Sequence, residues 1–464
     1  MKLNWMVTLA GCLCAGIACA DDLNSIYNKS VTADPTMQQA EYVRLATQET
    51  KTQALLNLVP INGYASKSWA DQGNGVTTNP STATLNVSVN LLSWGSWMNL
   101  KAANATVTQA QINYEAAKQD LISRVATRYF AVLSAQDQLA ALDTALQSAE
   151  RQLEQAERRF EVGLIAVTDV QIARASRDSS SASVIAGRRS VAAAEEQLRV
   201  ITGEKYPKLA APRADMPLLS PEPASEDAWV STALEQNATL VASRLAAEIS
   251  RAQYLSAIGG HLPTVTASAN RNWLLSGKND TNLTTTPGGV TGITNTSDIT
   301  WSISVNVPLF TAGATQSKVR QAKYSWDAAK SAFERTLRST EQQTRDAYEG
   351  VISQIAQVQA LRQAVESNRV SLQATEAGYD VGTKTALDVL TARQLLVQAQ
   401  TSYAQAKYGY LNNIVALRLA AGNLNPMTIT QINGWLTEVE SETDSLSTVP
   451  AGTAAAPAGA AAAP

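Results

Sequence analysis

Residues able to do nucleophilic, acid–base or metal chemistry are scarce in this 464-residue chain. It holds one histidine, His261, and three cysteines, Cys12, Cys14 and Cys19, all within the first twenty positions. An activated nucleophile needs a base within hydrogen-bond reach, and a zinc centre needs converging His, Cys or carboxylate ligands. That stock argues against both, and no phosphate-cradling loop is present. No enzyme, catalytic residue, metal or cofactor is therefore expected. What remains is non-covalent chemistry: carboxylates, a cation and a phenol placed around a turn that occurs twice.

The first copy of the turn runs from Arg159-Phe160 through Val162-Gly163-Leu164 to Thr168-Asp169-Val170, and the second from Gly378-Tyr379 through Val381-Gly382-Thr383 to Asp388-Val389. The offset is 219 positions (160 to 379, 169 to 388). Each copy is an aromatic, a Val-Gly break, then an Asp-Val that opens a new apolar periodicity. Asp169 stands in the first copy; Tyr379, Lys384 and Asp388 stand in the second. A carboxylate, a cation and a phenol on facing helices can latch them together. Each exposed ion pair contributes only about 0–1 kcal/mol, so such links repeated by symmetry suit a gate that must open. The alternative is that Asp169 and Asp388 cap the helices that follow, since Asp169 sits one residue before the apolar seam resumes.

A repeat this long divides the chain into two similar halves. Residues 21–203 form the first: a helix, a β-hairpin at about 60–94, a long helix at 95–160 and a return helix at 169–203. A proline-rich linker, 204–225, leads to the second half, 226–422. Its helix (Ala228 to Ala257) precedes a hairpin at about 262–310, a long helix at 313–379 and a return helix at 387–422. A C-terminal segment, 423–448, precedes an Ala/Pro-rich tail at 449–464, which is expected to be disordered.

These readings rest on period. Leu85–Leu91 and Ile299–Leu309 alternate apolar with polar, as half-buried strands do. From Gly95 to Phe160 there is no proline, and Leu139, Leu142, Leu146, Ala149, Leu153, Ala156 and Phe160 step by three and four, a coiled-coil seam. A helix of about 65 residues spans roughly 100 Å. With only 6% aromatic residues, the chain suits thin helix-on-helix seams better than a thick core.

Residues 1–20 read as a secretory signal peptide cut after Ala20. Leu9-Ala10-Gly11-Cys12 also matches a lipid-attachment pattern, so lipidation at Cys12 stays open. A net charge of −3 gives no reason to expect nucleic acid. No later run of about 20 apolar residues could span a bilayer as a helix, so a membrane would be crossed by strands. Four strands cannot close a barrel, and a spanning sheet tolerates no open edge in lipid. Eight strands from two chains leave almost no lumen; twelve from three leave a pore. The expected fold is a mixed α and β membrane protein: a trimeric 12-stranded barrel continued by a long α-helical tube. A soluble fibre on a coiled-coil stalk leaves the apolar strand faces uncovered, and a stand-alone porin has no use for so long a helix.

With Phe160-Glu161-Val162-Gly163-Leu164, Tyr379-Asp380-Val381-Gly382-Thr383, Thr168-Asp169-Val170-Gln171, Gly260-His261-Leu262-Pro263-Thr264 and Tyr206-Pro207 on the page, the chain closely resembles the TolC family of outer-membrane efflux proteins. The likeness runs from about Asp22 to Gly434. It implies a homotrimeric duct of the bacterial outer membrane, extending into the periplasm, for efflux and type I secretion. The partners implied are a periplasmic adaptor (membrane fusion) protein, an inner-membrane RND, ABC or MFS transporter, and outer-membrane lipid. The duct would end in an iris-like closed tip. By the resemblance, Lys384 pairs with Thr168 and Asp169 while Tyr379 bonds Asp169. The adaptor docks around Val162, Gly163, Leu164, Val381, Gly382 and Thr383, and Asp388 and Thr391 face the pore constriction. Two departures stand out: the family's type member has arginine in place of Lys384 and a second inward aspartate in place of Thr391.

Overall fold

The computed structural model describes residues 22–71, 77–78, 81–206, 208–213, 216–276 and 299–437. The expected signal peptide with Cys12, most of the loops after residues 71 and 276, Pro207 and the tail at 449–464 lie outside the described residues.

In chain order the first half comprises α1 (Leu23–Ala33), α2 (Pro35–Leu56), β1 (Ile61–Lys67), β2 (Ala70–Asp71), β3 (Thr77–Thr78), β4 (Ser81–Leu92), α3 (Trp94–Glu161) and α4 (Val167–Thr202). After β5 (Ala211–Pro212) come α5 (Glu226–Gln236), α6 (Ala238–Ile258), β6 (Thr264–Ser276), β7 (Ile299–Asn306), α7 (Ala314–Asp380), α8 (Ala386–Ala420), α9 (Pro426–Asn433) and β8 (Leu436–Thr437). The 68 residues of α3 and 67 of α7 make each about 100 Å long at 1.5 Å per residue. Neither contains proline, and Ala, Gln, Leu, Arg and Glu dominate both, which keeps them unbroken. The helix expected over 228–257 is instead two helices. Asn237 is extended (φ −63°, ψ 116°); it closes α5 and caps α6 by accepting from the Leu240 amide at 3.0 Å.

One antiparallel sheet has the strand order β1-β4-β6-β7, so the two halves meet at β4–β6. All four strands connect to helices at the same end. The register sorts the side chains into two faces. On one, Thr84 donates to Asn272 (2.7 Å), Thr266 to Asn90 (3.3 Å) and Asn86 to Asn270, while the Ser66–Thr82 and Ser268–Ser302 hydroxyls pair at 3.0 and 2.7 Å. The other carries Leu85, Val87, Ala267, Ala269, Trp273, Trp301, Ile303 and Val305. Trp301 and Ile303 are 79% and 73% exposed on that face. Strands β1 and β7 each have an edge unpaired within the chain.

The thick part of the core sits midway along the long helices. Leu121, Ile122, Val125, Tyr129 and Phe130 of α3 meet Tyr408, Tyr410 and Leu411 of α8, Leu23 and Ile26 of α1, and Ile429 and Ile432 of α9. The Tyr129 and Phe130 rings meet edge to face at 5.7 Å, and Phe130 stacks on Tyr408 at 6.3 Å. The segment read as a linker is packed onto this core. Strand β5 pairs with β8, Tyr129 donates its hydroxyl to Ala210 O (2.6 Å), and Tyr410 holds both backbone groups of Leu219. A polar anchor lies alongside: buried Asp34 caps α2 and receives Arg124 at 2.7 Å, and Arg124 also binds Asp120 at 2.6 Å.

Candidate functional site

The helix ends at the doubled turn are built by the same local chemistry. Gly163 and Gly382 adopt left-handed φ values of 76° and 81°, a conformation glycine reaches without the penalty of a Cβ. In the first turn Gly163 N donates to Phe160 O and Leu164 N to Arg159 O, both at 2.9 Å; in the second Gly382 N donates to Tyr379 O (3.1 Å) and Thr383 N to Gly378 O (2.8 Å). These paired bonds define a Schellman closure, which satisfies the last carbonyls of the helix. Val162, Leu164 and Val381 are 70%, 73% and 75% exposed around the two glycines.

The return helices start differently. Thr385 caps α8 and Asp388 completes a capping box: Thr385 Oγ1 accepts from Asp388 N (3.2 Å), and Asp388 Oδ2 accepts from Thr385 N and Thr385 Oγ1, both at 2.9 Å. Those two bonds hold the Asp388 carboxyl below the usual carboxylate range, and the charge of Lys384 adds to them. Helix α4 is capped by Ala166, which has no side-chain acceptor, and Asp169 stands in its first turn with no such box. Of the two aspartates, then, Asp388 caps its helix and Asp169 leaves its carboxylate uncommitted to the backbone.

Within one chain, no hydrogen bond or ion pair among the described residues joins Lys384 or Tyr379 to Asp169 or Thr168. The stem of Lys384 lies over Gly378, where an added Cβ would be 2.8 Å from Lys384 Cγ. Tyr379 faces Arg159 instead, with the guanidinium 5.3 Å from the ring centroid, and Arg159 binds Asp380 at 2.9 Å. One turn is thereby tied to the other. Thr391 donates its hydroxyl to Leu387 O (2.9 Å) on the exposed side of α8, near Asp388.

A further link lies behind the turns. Arg393 of α8 donates to Gln152 Oε1 of α3 (2.9 Å) and to Glu376 Oε1 of α7 (2.8 Å). Its side chain is only 13% exposed. Apolar packing at this level is thin, a small cluster of Ala156, Val170 and Ala173 with Leu153 and Ile165 against it. Polar links therefore carry much of the burden of holding the two coils in place. Arg393 lies outside the residues singled out from the sequence, and Arg159 stands among them only at the start of the first turn, with no role given. The repeat offset applied to charges would have found the first, because Glu376 and Arg393 lie 219 positions after Glu157 and Arg174.

The family model described as Outer membrane efflux protein matches residues 26–204 and 229–423. The outer membrane protein TolC of Vibrio cholerae is 34% identical over 421 residues, covering 90% of this chain and 94% of that protein. The alkaline protease secretion protein AprF of Pseudomonas aeruginosa is 26% identical, covering 86% of this chain and 84% of its own. Among solved structures, the Campylobacter jejuni CmeC outer membrane channel superposes with a TM-score of 0.72 at 22% identity, covering 89% of both chains.

Proposed function

This chain belongs to the outer membrane efflux protein family, and from that premise we propose how its parts work as a duct. It is an outer-membrane exit duct for efflux and secretion. In our reading three copies assemble, each giving four strands to a 12-stranded barrel and its helices to a periplasmic tube. The observation that carries this is the sheet itself. Its order leaves β1 and β7 with open edges, which lipid does not tolerate, and closing those edges against copies leaves the Asn, Ser and Thr ladder facing the lumen. Cargo then meets a polar wall with few charges, which suits passage better than selective binding.

The tip of the tube is the gate. Its two turns are tied within a chain by Arg159 and Asp380, and Arg393 ties α8 back to α3. The latch we infer between chains uses groups that make no hydrogen bond or ion pair with one another inside one chain: Lys384 of one copy with Thr168 and Asp169 of the next, and Tyr379 with Asp169. Asp388, followed by Thr391, forms a single ring of three carboxylates at the constriction. The exposed Val162, Leu164 and Val381 around Gly163 and Gly382, with Thr383, form the docking tip for a periplasmic adaptor, through which an inner-membrane RND, ABC or MFS pump feeds the duct.

Paired cysteines test the arrangement. Asp169→Cys with Lys384→Cys, in a chain lacking Cys12, Cys14 and Cys19 after export, is expected to give disulfide-linked dimers and trimers on non-reducing gels. Heat-labile trimers carrying no interchain disulfide would exclude the latch while leaving the duct. Purified protein that is monomeric in mild detergent would exclude the closed barrel.

A further inference from the structure

The four strands of the sheet contain two charged residues, Lys67 and Arg271, and both are basic. Both fall on the apolar face. Arg271 lies between Leu85 and Ile299 in the register, and Lys67 shares its face with Ala65 and Gly63. On the reading of this sheet as the wall of the barrel, that face meets lipid. A cation there costs most at mid-bilayer and little at the interface, so its depth and lean decide its role.

Depth follows from the register. The helices join the sheet at one end, where β6 begins at Thr264 and β1 at Ile61. Arg271 is seven residues up its strand, about 23 Å at ~3.3 Å per residue. Lys67 pairs with Ser81, two alternate positions beyond the Leu85 row of Arg271. Both therefore lie toward the helix-distant end, the outer leaflet for a periplasmic tube. Both also lean further that way. The Arg271 guanidinium is 4.9 Å from the ring centroid of Trp273, and the Lys67 ammonium is 5.4 Å from that of Trp69. Trp273 is the next residue outward on the same side of β6, and Trp69 lies two residues past Lys67, just beyond the end of β1. Trp69 is 74% exposed, placing an indole at the interface beside a cation, as membrane aromatic belts do. Within β1, β4, β6 and β7 no acid stands beside these cations; the acid of the described strands, Asp71, lies in β2, beyond Trp69 on the same hairpin.

We propose that Arg271 with Trp273, and Lys67 with Trp69, are two binding points for the phosphate groups of outer-leaflet lipids, the partner being a phosphorylated glycolipid anchored in that leaflet. Phosphate is the group that complements two cations on a four-stranded sheet whose own strands carry no acid. Arginine gives it a planar two-pronged donor and lysine a point charge. The tryptophans, one step outward of each cation, draw both heads toward headgroup level through the cation–π contact. An annulus of such lipids, three times repeated around a trimer, would fix the height and tilt of the barrel in the membrane.

The test uses the full chain, purified as a heat-labile oligomer and reconstituted in vesicles of phosphatidylcholine with bis-phosphorylated lipid A. After release into detergent, native mass spectrometry counts retained lipid. Wild type is expected to retain lipid A over phosphatidylcholine, and millimolar inorganic phosphate is expected to leave it bound. Arg271→Gln or Lys67→Gln should weaken retention about tenfold, one charge-assisted bond's worth. The double variant should show no preference, and Arg271→Lys should keep most of it. Equal retention by the double variant and wild type would overturn the proposal, as would equal retention of the two lipids or displacement by free phosphate. Wild-type chain that does not fractionate with outer membranes would instead remove the barrel reading on which this rests.

Discussion

Arg393 binds Glu376 at 2.8 Å, and Arg174 binds Glu157 at 3.1 Å, the same ion pair in each half of the chain at the 219-position offset. The two copies have different surroundings. Arg174 and Glu157 are about half exposed, at 52% and 45% of their side chains. Arg393 is 13% exposed and reaches across to Gln152 of α3 as well. The surface bridge of the first half is matched in the second by a partly buried tie between coils: the arginine is covered, while Glu376 stays 43% exposed.

Charge removal should therefore have unequal effects. Arg393→Gln is expected to loosen α8 from α3, costing about 1–3 kcal/mol as a bond to a charged group is lost with its partner left in place. Arg174→Gln should cost at most about 1 kcal/mol, as exposed pairs do. Proteolysis at the turns and resting conductance in planar bilayers would both rise for the first and stay near wild type for the second. Equal responses would mean that burial has not changed the role of the pair.

Much of the scaffold was legible because its signals are local. Pro60 marks the change of period before β1, the alternation at Leu85–Leu91 lies inside β4, and each Val-Gly pair sits where a left-handed glycine ends a long helix. What escaped depends on contact between distant positions or on weak local signals. Asn237 interrupts a run of good helix formers with no proline or glycine to announce it. Arg393 and Glu376 emerge only when the 219-position offset is carried along the helices to Glu157 and Arg174, and Arg271 is a lone charge inside the apolar face of β6. A bond from Lys384 to a neighbouring copy is set by assembly and carries no local pattern in the sequence.

Substitution at Lys384 addresses that bond directly. If Lys384 latches onto Asp169 of the next copy, Lys384→Ala is expected to raise resting conductance severalfold, and Lys384→Arg to lower it, because a guanidinium can bind a carboxylate with two parallel bonds. Each latch is worth about 1 kcal/mol if exposed. Wild-type conductance in both variants would remove Lys384 from the gate.

The constriction makes a separate prediction. One carboxylate ring at Asp388 should give a cation-selective pore with weak block by trivalent cations. Thr391→Asp, one turn along the same exposed side of α8, adds a second ring and should strengthen block by at least tenfold, since two rings of like charge bind a multivalent cation together. Single-channel recordings with a trivalent cation on the periplasmic side decide it, and unchanged block would mean that Thr391 does not face the pore.

On the proposed reading, the capping box sets how a ring of Asp388 carboxylates responds to acid. The Thr385 amide and hydroxyl lower the pKa of Asp388 in the folded chain. A depressed carboxylate contributes stability above its unfolded value, about 3.9, and loses it as pH falls through the lower folded value. Cation selectivity and the order of the first turn of α8 should thus persist down to about pH 4 and fade below it. In Asp388→Asn, hydrogen exchange in residues 386–389 should be faster at neutral pH and show no such acid step. An acid step in the variant would assign the transition to another group.

The packed linker gives the last prediction. Tyr410 is fully buried, accepts from Leu219 N at 2.7 Å and donates to Leu219 O at 3.0 Å. Burial pushes its hydroxyl pKa up, so it stays a neutral donor. Tyr410→Phe preserves the ring and its packing and removes only the oxygen. Both backbone groups of Leu219 then lose their partner, and because Leu219 is half exposed and water can replace part of each bond, the cost is about 0.5–1.5 kcal/mol per bond. Because β5 and β8 close the same layer, the loss should appear as easier cleavage between residues 208 and 223 and a lower heat-dissociation temperature of the oligomer. The turns lie at the far end of α8, so resting conductance should not change. A conductance change would show that the core and the gate are coupled along α8, whereas unaltered cleavage would show that the linker is held without Tyr410.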